Sequence, residues 1–235
     1  MRYQRLAQCW LIGLIVTLLA GCSGNTTSTP SHVSVLLANA KHASLRDANF
    51  TITWTSGPNS ASGTGELTLT PVQRDDLELK LQLGNQKAAL DVVADGATTY
   101  AKQANETMWD EEPTYATDIN PVTETTRIID YDRLHDAQLV DSAPITGIPA
   151  WHIKGTLAIN SPEIGGQILK LVGSEEIWLR QSDAFPLQIT EHVAASGTNN
   201  GEDYTINSTV SYTFVAWNTH LTITPPSPDL LNANG

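Results

Sequence analysis

Cysteine is nearly absent from this chain. Its 235 residues hold two, Cys9 and Cys22. Exported proteins normally use cysteines in pairs as disulfides. If the segment before Cys22 is removed, one thiol is left and no internal disulfide can form. The fold must then stand on its core alone. Long apolar runs are also missing. The longest, Trp10 to Ala20, is roughly half of the about 20 residues that a spanning helix needs. Positive charge is scarce, with 13 Lys and Arg against 25 Asp and Glu, a net charge of −12. Losing residues 1–21 removes Arg2 and Arg5 and no acid, which leaves −14. Phosphate backbones call for Lys and Arg, so this balance excludes nucleic acid as a partner. It also excludes docking on anionic lipid through a basic patch. The acidity reads as the solubility device of an exported domain.

Catalytic signatures are missing too. There is no Gly-x-Ser-x-Gly elbow, no phosphate-binding loop and no Gly-x-Gly-x-x-Gly. The histidines, His32, His42, His135, His152, His192 and His220, are scattered and make no His-x-x-x-His pair. Zinc needs close His, Cys or carboxylate spacing, so each reads as a surface or strand-face residue. The acids Asp110-Glu111-Glu112, with Asp118 nearby, lack the Asp/Asn and glycine spacing of a calcium loop and read as a solvated loop. Asp130-Tyr131-Asp132 and Glu175-Glu176 are pairs of a kind used in acid-base work. With nothing to place them in a cleft, they are expected on a helix or strand surface. The chain is read as a non-enzyme without cofactor or metal.

What is present begins at the N-terminus. Arg2 and Arg5 precede the short apolar run, and small residues follow it, as in a secretory signal. The sequence then reads Leu19-Ala20-Gly21-Cys22, which resembles the lipobox of bacterial lipoproteins. The resemblance implies cleavage before Cys22, a thioether-linked diacylglycerol on its sulfur and palmitate-type acyl groups. Two or more acyl chains make a stable anchor. The expected organisation is a signal peptide over 1–21, a lipidated cysteine with a polar tether over 22–30, and a single domain over 31–235. Ser23 to Pro30 has the composition of a flexible linker.

From Ser31 to Ala48 the apolar residues Val33, Leu36, Leu37, Ala40 and Leu45 recur at helical spacing. The period then falls to two. Phe50, Ile52 and Trp54 alternate with threonines, Leu67 and Leu69 with polar residues, and Leu77, Leu79, Leu81 and Leu83 with Glu78, Lys80 and Gln82. Each pattern predicts a strand with one apolar and one wet face. Turns are expected at Gly57-Pro58-Asn59, Gly84-Asn85 and Asp95-Gly96, with strands over 90–93 and 98–101. Residues 104–120, including Trp109, read as irregular. A second helix is expected over 121–137 behind Pro121, and a strand from Leu139. Gly147-Ile148-Pro149 turns into a strand over 151–159. A third helix is expected from Ser161 to Val172, ended by Gly173. Strands over 176–180, 186–193 and 204–214 finish the domain, and the prolines of 225–228 forbid regular structure.

The order now counts. A lipobox is followed by a helix, meandering strands, a central helical segment and the unit Gly-Ile-Pro-Ala-Trp-His-Ile. Then come a further helix, Glu-Ile-Trp-Leu, Phe-Pro-Leu-Gln-Ile, and a last strand ending Tyr-Thr-Phe-Val-Ala-Trp-Asn before a proline-rich tail. This order resembles the LppX/LprG lipoproteins and, more distantly, proteins of the LolA, LolB and RseB type. The resemblance implies an α+β fold: a curved antiparallel sheet forming a half-open barrel, covered by about three helices around an apolar cavity. It also implies the function, a membrane-anchored extracytoplasmic carrier or chaperone for lipids or acylated molecules. A transporter or an acceptor lipoprotein would be a further partner. Trp54, Leu79, Leu81, Trp151, Ile153, Ile168, Tyr212 and Phe214 are the candidate cavity residues. The tryptophans suit a cavity or a filled core equally. A second class stays open: a sensor or structural lipoprotein with a closed core, binding a protein through its surface.

Overall fold

Alternating apolar and polar residues demand a sheet with one buried face, and hairpin turns between them favour antiparallel pairing. The computed structural model describes residues 32–111, 129–157, 163–164, 167–168, 170–199 and 202–232, with the side chains of 163, 164, 167, 168, 199 and 202 excepted. The signal segment, Cys22, the linker and the expected helix over 121–128 lie outside the described residues. The described chain falls into two compact units. The first holds residues 45–111 and 212–232, the second residues 32–44 and 129–211.

The first unit is a meander. It contains β1 (Asp47–Ser56), β2 (Asn59–Thr68), β3 (Arg74–Leu83), β4 (Gln86–Asp95), β5 (Thr98–Gln103), β6 (Asp110–Glu111) and the end of β13 (Glu202–Trp217). The order is β6-β5-β4-β3-β2-β1-β13, and the pairings from β1 to β6 are antiparallel. Two-residue turns at Gly57, Gly84 and Gly96 join the hairpins, with φ of 55°, 58° and 60°, a region glycine enters without steric cost. Phe50, Gly65, Leu77, Val92 and Ala101 are successive register partners, and so are Trp54, Ala61 and Leu81. Those rows form the apolar face. A side chain at Gly65 would run into the Phe50 ring and Leu77, so the absent Cβ is what admits the ring. The other face carries Thr51, Thr64, Glu78, Asp91 and Lys102 in one row.

One buried acid closes this unit. Asp47, at the start of β1, accepts from the backbone N–H of Thr219 at 2.6 Å and of His220 at 3.2 Å, and from the Thr219 hydroxyl at 3.2 Å. It thereby holds a segment whose Asn218 and His220 have φ of 53° and 64°. Asp47→Ala removes the charged acceptor of these part-buried hydrogen bonds. The expected loss is about 1–3 kcal/mol, read as a lower urea midpoint with an unchanged slope. At the C-terminus, Trp109 donates to Leu230 O and accepts from Asn232 N, both at 2.8 Å. Contrary to expectation, the proline tail does hold regular structure, a single 3-10 turn at Pro228–Leu230. Proline suits the first position of such a turn, where its missing N–H is no loss.

The second unit contains α1 (His32–His42), a 3-10 turn (Tyr131–Arg133), β7 (Leu134–Asp141), β8 (Ala150–Leu157), β11 (Lys170–Arg180), β12 (Pro186–Asn199) and the start of β13, in the order β13-β12-β11-β8-β7. β9 (Glu163–Ile164) and β10 (Gln167–Ile168) form a separate antiparallel pair. Ile153, Ile177 and Ile189 are register partners, and all three are fully buried. Helix α1 buries Val33, Leu36 and Ala40.

Three helix expectations are corrected here. The first helix ends at His42 rather than Ala48, because Asp47 and Ala48 already pair with Thr68 and Leu67 in the sheet. Residues 134–137 are strand, since Leu134 and His135 pair with Leu157 and Thr156 of β8. The segment expected as a helix over 161–172 holds β9, β10 and the start of β11. Its Ile164, Ile168 and Val172 are β-branched, and Gly165-Gly166 costs a helix interior about 1 kcal/mol per glycine. Among the described residues there is one α-helix, not about three.

Candidate functional site

The apolar faces are where a hydrophobic guest would be held, and the candidate residues divide between the two units. In the first, Phe50, outside the candidate set, is the hub. Its ring lies 5.6 Å from Tyr212 and 6.1 Å from Phe214, in tilted geometry. Such aromatic pairs add about 0.5–1.5 kcal/mol beyond burial. Trp54, Leu81, Tyr212 and Phe214 are buried, and Leu79 is half-buried. Register places Trp54 and Leu81 on either side of the small Ala61.

In the second unit Ile153 is fully buried. Trp151 is half-buried, and the His32 ring meets it edge-on at 5.7 Å. That contact joins the first residue of α1 to the apolar side of β8. Ile168 lies in β10, and its side chain is outside the described residues. Trp178 belongs to the other face. It stacks on His152 at 4.2 Å and 10°, among Asp141, Glu176 and Lys154. Ile177 and Leu179, its chain neighbours, are buried, so alternation turns Trp178 outward.

The acids also divide. Glu176 meets expectation on the wet face, where its hydrogen bond from Lys154, at 2.7 Å, leads in holding its carboxyl below the usual range. Glu175 does not. It is fully buried, Glu191 is 1% exposed, and both accept from Arg133 Nη2. Burial is the main force that pushes Glu175 up to about 8, with Glu191 adding to it and Arg133 opposing it. Burial also drives the Tyr131 phenol well above its ordinary range. The expectation of a surface carboxylate is thus overturned for Glu175. The signal was available in the alternation: Ile177 and Leu179 put 175 on their own face, and Ile189 and Val193 do the same for Glu191.

On the first unit's wet face, burial leads in raising Asp76, helped by Glu66, Glu78 and Asp91. Lys102 answers part of that charge. Its ammonium lies 2.5 Å from Asp91 and 5.0 Å from the centre of the Trp109 ring. Asp110 and Glu111, expected in an irregular loop, pair with β5 as β6; Glu112 and Asp118 lie outside the described residues.

Compared by sequence, the chain matches no family model and no curated protein. Compared by structure, it matches LprF from Mycobacterium bovis with a TM-score of 0.52 and 16% identity, over 82% of this chain and 96% of that one. It matches the Mycobacterium tuberculosis lipoprotein LppX with a TM-score of 0.50 and 13% identity, over 81% of this chain and 98% of that one. The fold of this chain is therefore that of LprF and LppX, the likeness that the order of elements in its sequence implied.

Proposed function

We propose that this protein is a non-enzymatic carrier of lipids or acylated molecules, tethered by Cys22 to the outer side of the cell membrane. The observation that carries the reading is the structural match, which spans nearly all of LprF and LppX. The lipobox supports it independently. Acyl chains would leave water for a cavity lined by the apolar strand faces, gaining about 0.8 kcal/mol per buried CH₂. Because that gain grows with chain length and ignores the headgroup, the fold suits long-chain guests as a class. The tether would keep the carrier beside its donor membrane.

The test is native mass spectrometry and lipid extraction on protein purified from its own host. Roughly one acylated guest per chain is expected, and Trp54→Ala, which opens the apolar face of the first unit, should reduce its occupancy. A guest-free mass that stays unchanged after incubation with host lipids would sink the reading. It would favour a closed-core lipoprotein that binds a protein through its surface.

A further inference from the structure

Arginine grips a carboxylate best with a fork, its Nε–H and Nη2–H lying side by side on the two oxygens. Arg133 uses half of such a fork. Its Nη2 donates to Glu175 Oε2 and to Glu191 Oε1. Its Nε is buried and has no hydrogen-bond partner among the described residues, and the same holds for Glu175 Oε1. Nε shares the carbon Cζ with Nη2, and Oε1 shares the carbon Cδ with Oε2. The two unpartnered atoms therefore flank one and the same contact. The side chains that carry them are 5% and 0% exposed. A buried donor or acceptor left unmet costs more than a made hydrogen bond returns, which is why such atoms are normally satisfied by a bound group.

The surroundings narrow what that group can be. Glu175 rises from the apolar face of β11. The register row on one side of it is Ile153, Ile177 and Ile189, all fully buried, and the row on the other side holds Leu157 and Val193. The unmet pair is thus a polar spot on the face where an acyl guest would be held. Nε–H is always a donor, so the group must offer a lone pair, and an ammonium has none. Burial above all pushes Glu175 up to about 8, so Oε1 belongs to an acid or to a carboxylate according to pH. A hydroxyl oxygen serves both forms: it accepts from the acid and donates to the carboxylate. An ester carbonyl accepts only, and serves the acid alone. An anionic oxygen meets Nε but sets like charge against the ionised Glu175.

We propose that Arg133 Nε and Glu175 Oε1 form a binding site for one hydroxyl oxygen, which accepts from Nε and bridges the unused half of the fork to Oε1. The hydroxyl comes from a buried water or from an alcohol group of an acylated guest. A buried water is stable where two or more polar partners meet it, as here. The guest as source rests on the carrier reading and adds to it. The apolar strand faces recognise the acyl chain and ignore the headgroup, whereas this spot selects an uncharged alcohol over an ester or an acid of the same chain. Discrimination of that kind is large in an apolar setting, because a guest without the hydroxyl leaves both atoms unmet.

The test is a high-resolution crystal structure of the full chain in an amine-oxide detergent, which has no hydroxyl group, alone and with monooleoylglycerol. An oxygen about 2.7–3.2 Å from both Nε and Oε1 is expected. A water there in both crystals assigns the site to water; a glycerol oxygen there in the second assigns it to the guest. Nε bonded directly to Oε1, or no oxygen that reaches both atoms, overturns the proposal. Competition between monooleoylglycerol and methyl oleate, read by native mass spectrometry, tests the guest in solution. If the guest supplies the hydroxyl, the wild type should favour monooleoylglycerol about tenfold or more. Arg133→Lys keeps the charge but has no Nε, and should bring that ratio close to one. Each ratio is internal to one protein, and if the variant does not fold the two crystals still decide. If neither lipid binds, the carrier reading fails, while the lipid-free crystal still settles whether an oxygen bridges Nε and Oε1.

Discussion

Arg133→Met should be the most damaging single substitution in the second unit, with an expected loss of about 3–5 kcal/mol. The side chain it removes is not a surface tether. It bridges two buried carboxylates, through Nη2 to Glu175 and to Glu191. Methionine is of similar length and would fill the space, so packing is nearly conserved and the loss is electrostatic. Arg133→Lys should be intermediate. An ammonium carries the charge but lacks the planar fork that serves two acceptors at once. The counter-test is the triple variant Arg133→Met, Glu175→Leu, Glu191→Leu. Buried ion clusters replaced as a whole by apolar residues lose little or even gain. The triple variant should therefore recover most of the stability that Arg133→Met loses. Urea unfolding followed by tryptophan fluorescence reads it, since Trp151 and Trp178 lie in this unit. An Arg133→Met protein as stable as the wild type would mean that the three charges carry none of the unit's stability.

How much of this was legible in the sequence depends on how regular the alternation is. β3 was readable because Leu77, Leu79, Leu81 and Leu83 alternate with charged and polar residues without a break. β11 was read only from Glu176, although it starts at Lys170. Gly173, Ser174 and Glu175 look like the end of a helix and a wet surface, yet they occupy the interior of a strand. The buried glutamate breaks the very pattern used to find strands, so the buried charge hid the element that carries it. Residues 161–172 failed for the opposite reason. Ile164, Ile168 and Val172 satisfy a four-residue period, but even spacing satisfies a two-residue period just as well. Burial was legible for Ile153 and Phe214 from strand parity. It was not legible for Phe50 as the aromatic hub, because its contacts with Tyr212 and Phe214 join residues more than 160 positions apart.

Cys22→Ala should move the protein from the membrane fraction to the soluble fraction, and the reason is that little else is present to hold it there. Among the described residues no helix is long and apolar enough to cross a membrane. The chain without its signal segment carries −14, so anionic lipid repels it rather than attracting it. On the proposed reading, the attraction comes from an acyl anchor on Cys22. Each buried CH₂ contributes about 0.8 kcal/mol, so one chain binds marginally and two or more bind stably. Alanine at position 22 removes the sulfur that would accept the lipid on the proposed reading. The measurement is membrane flotation of wild type and variant in the native host, together with intact mass. The wild type should float and carry the added mass of its acyl groups; the variant should carry none. Retention of the variant in the membrane after an alkaline wash would point to residues 10–20 as an uncleaved anchor. A variant that is freed but still loads acylated molecules would show that carriage and tethering are separate properties, with the tether setting only where the exchange takes place.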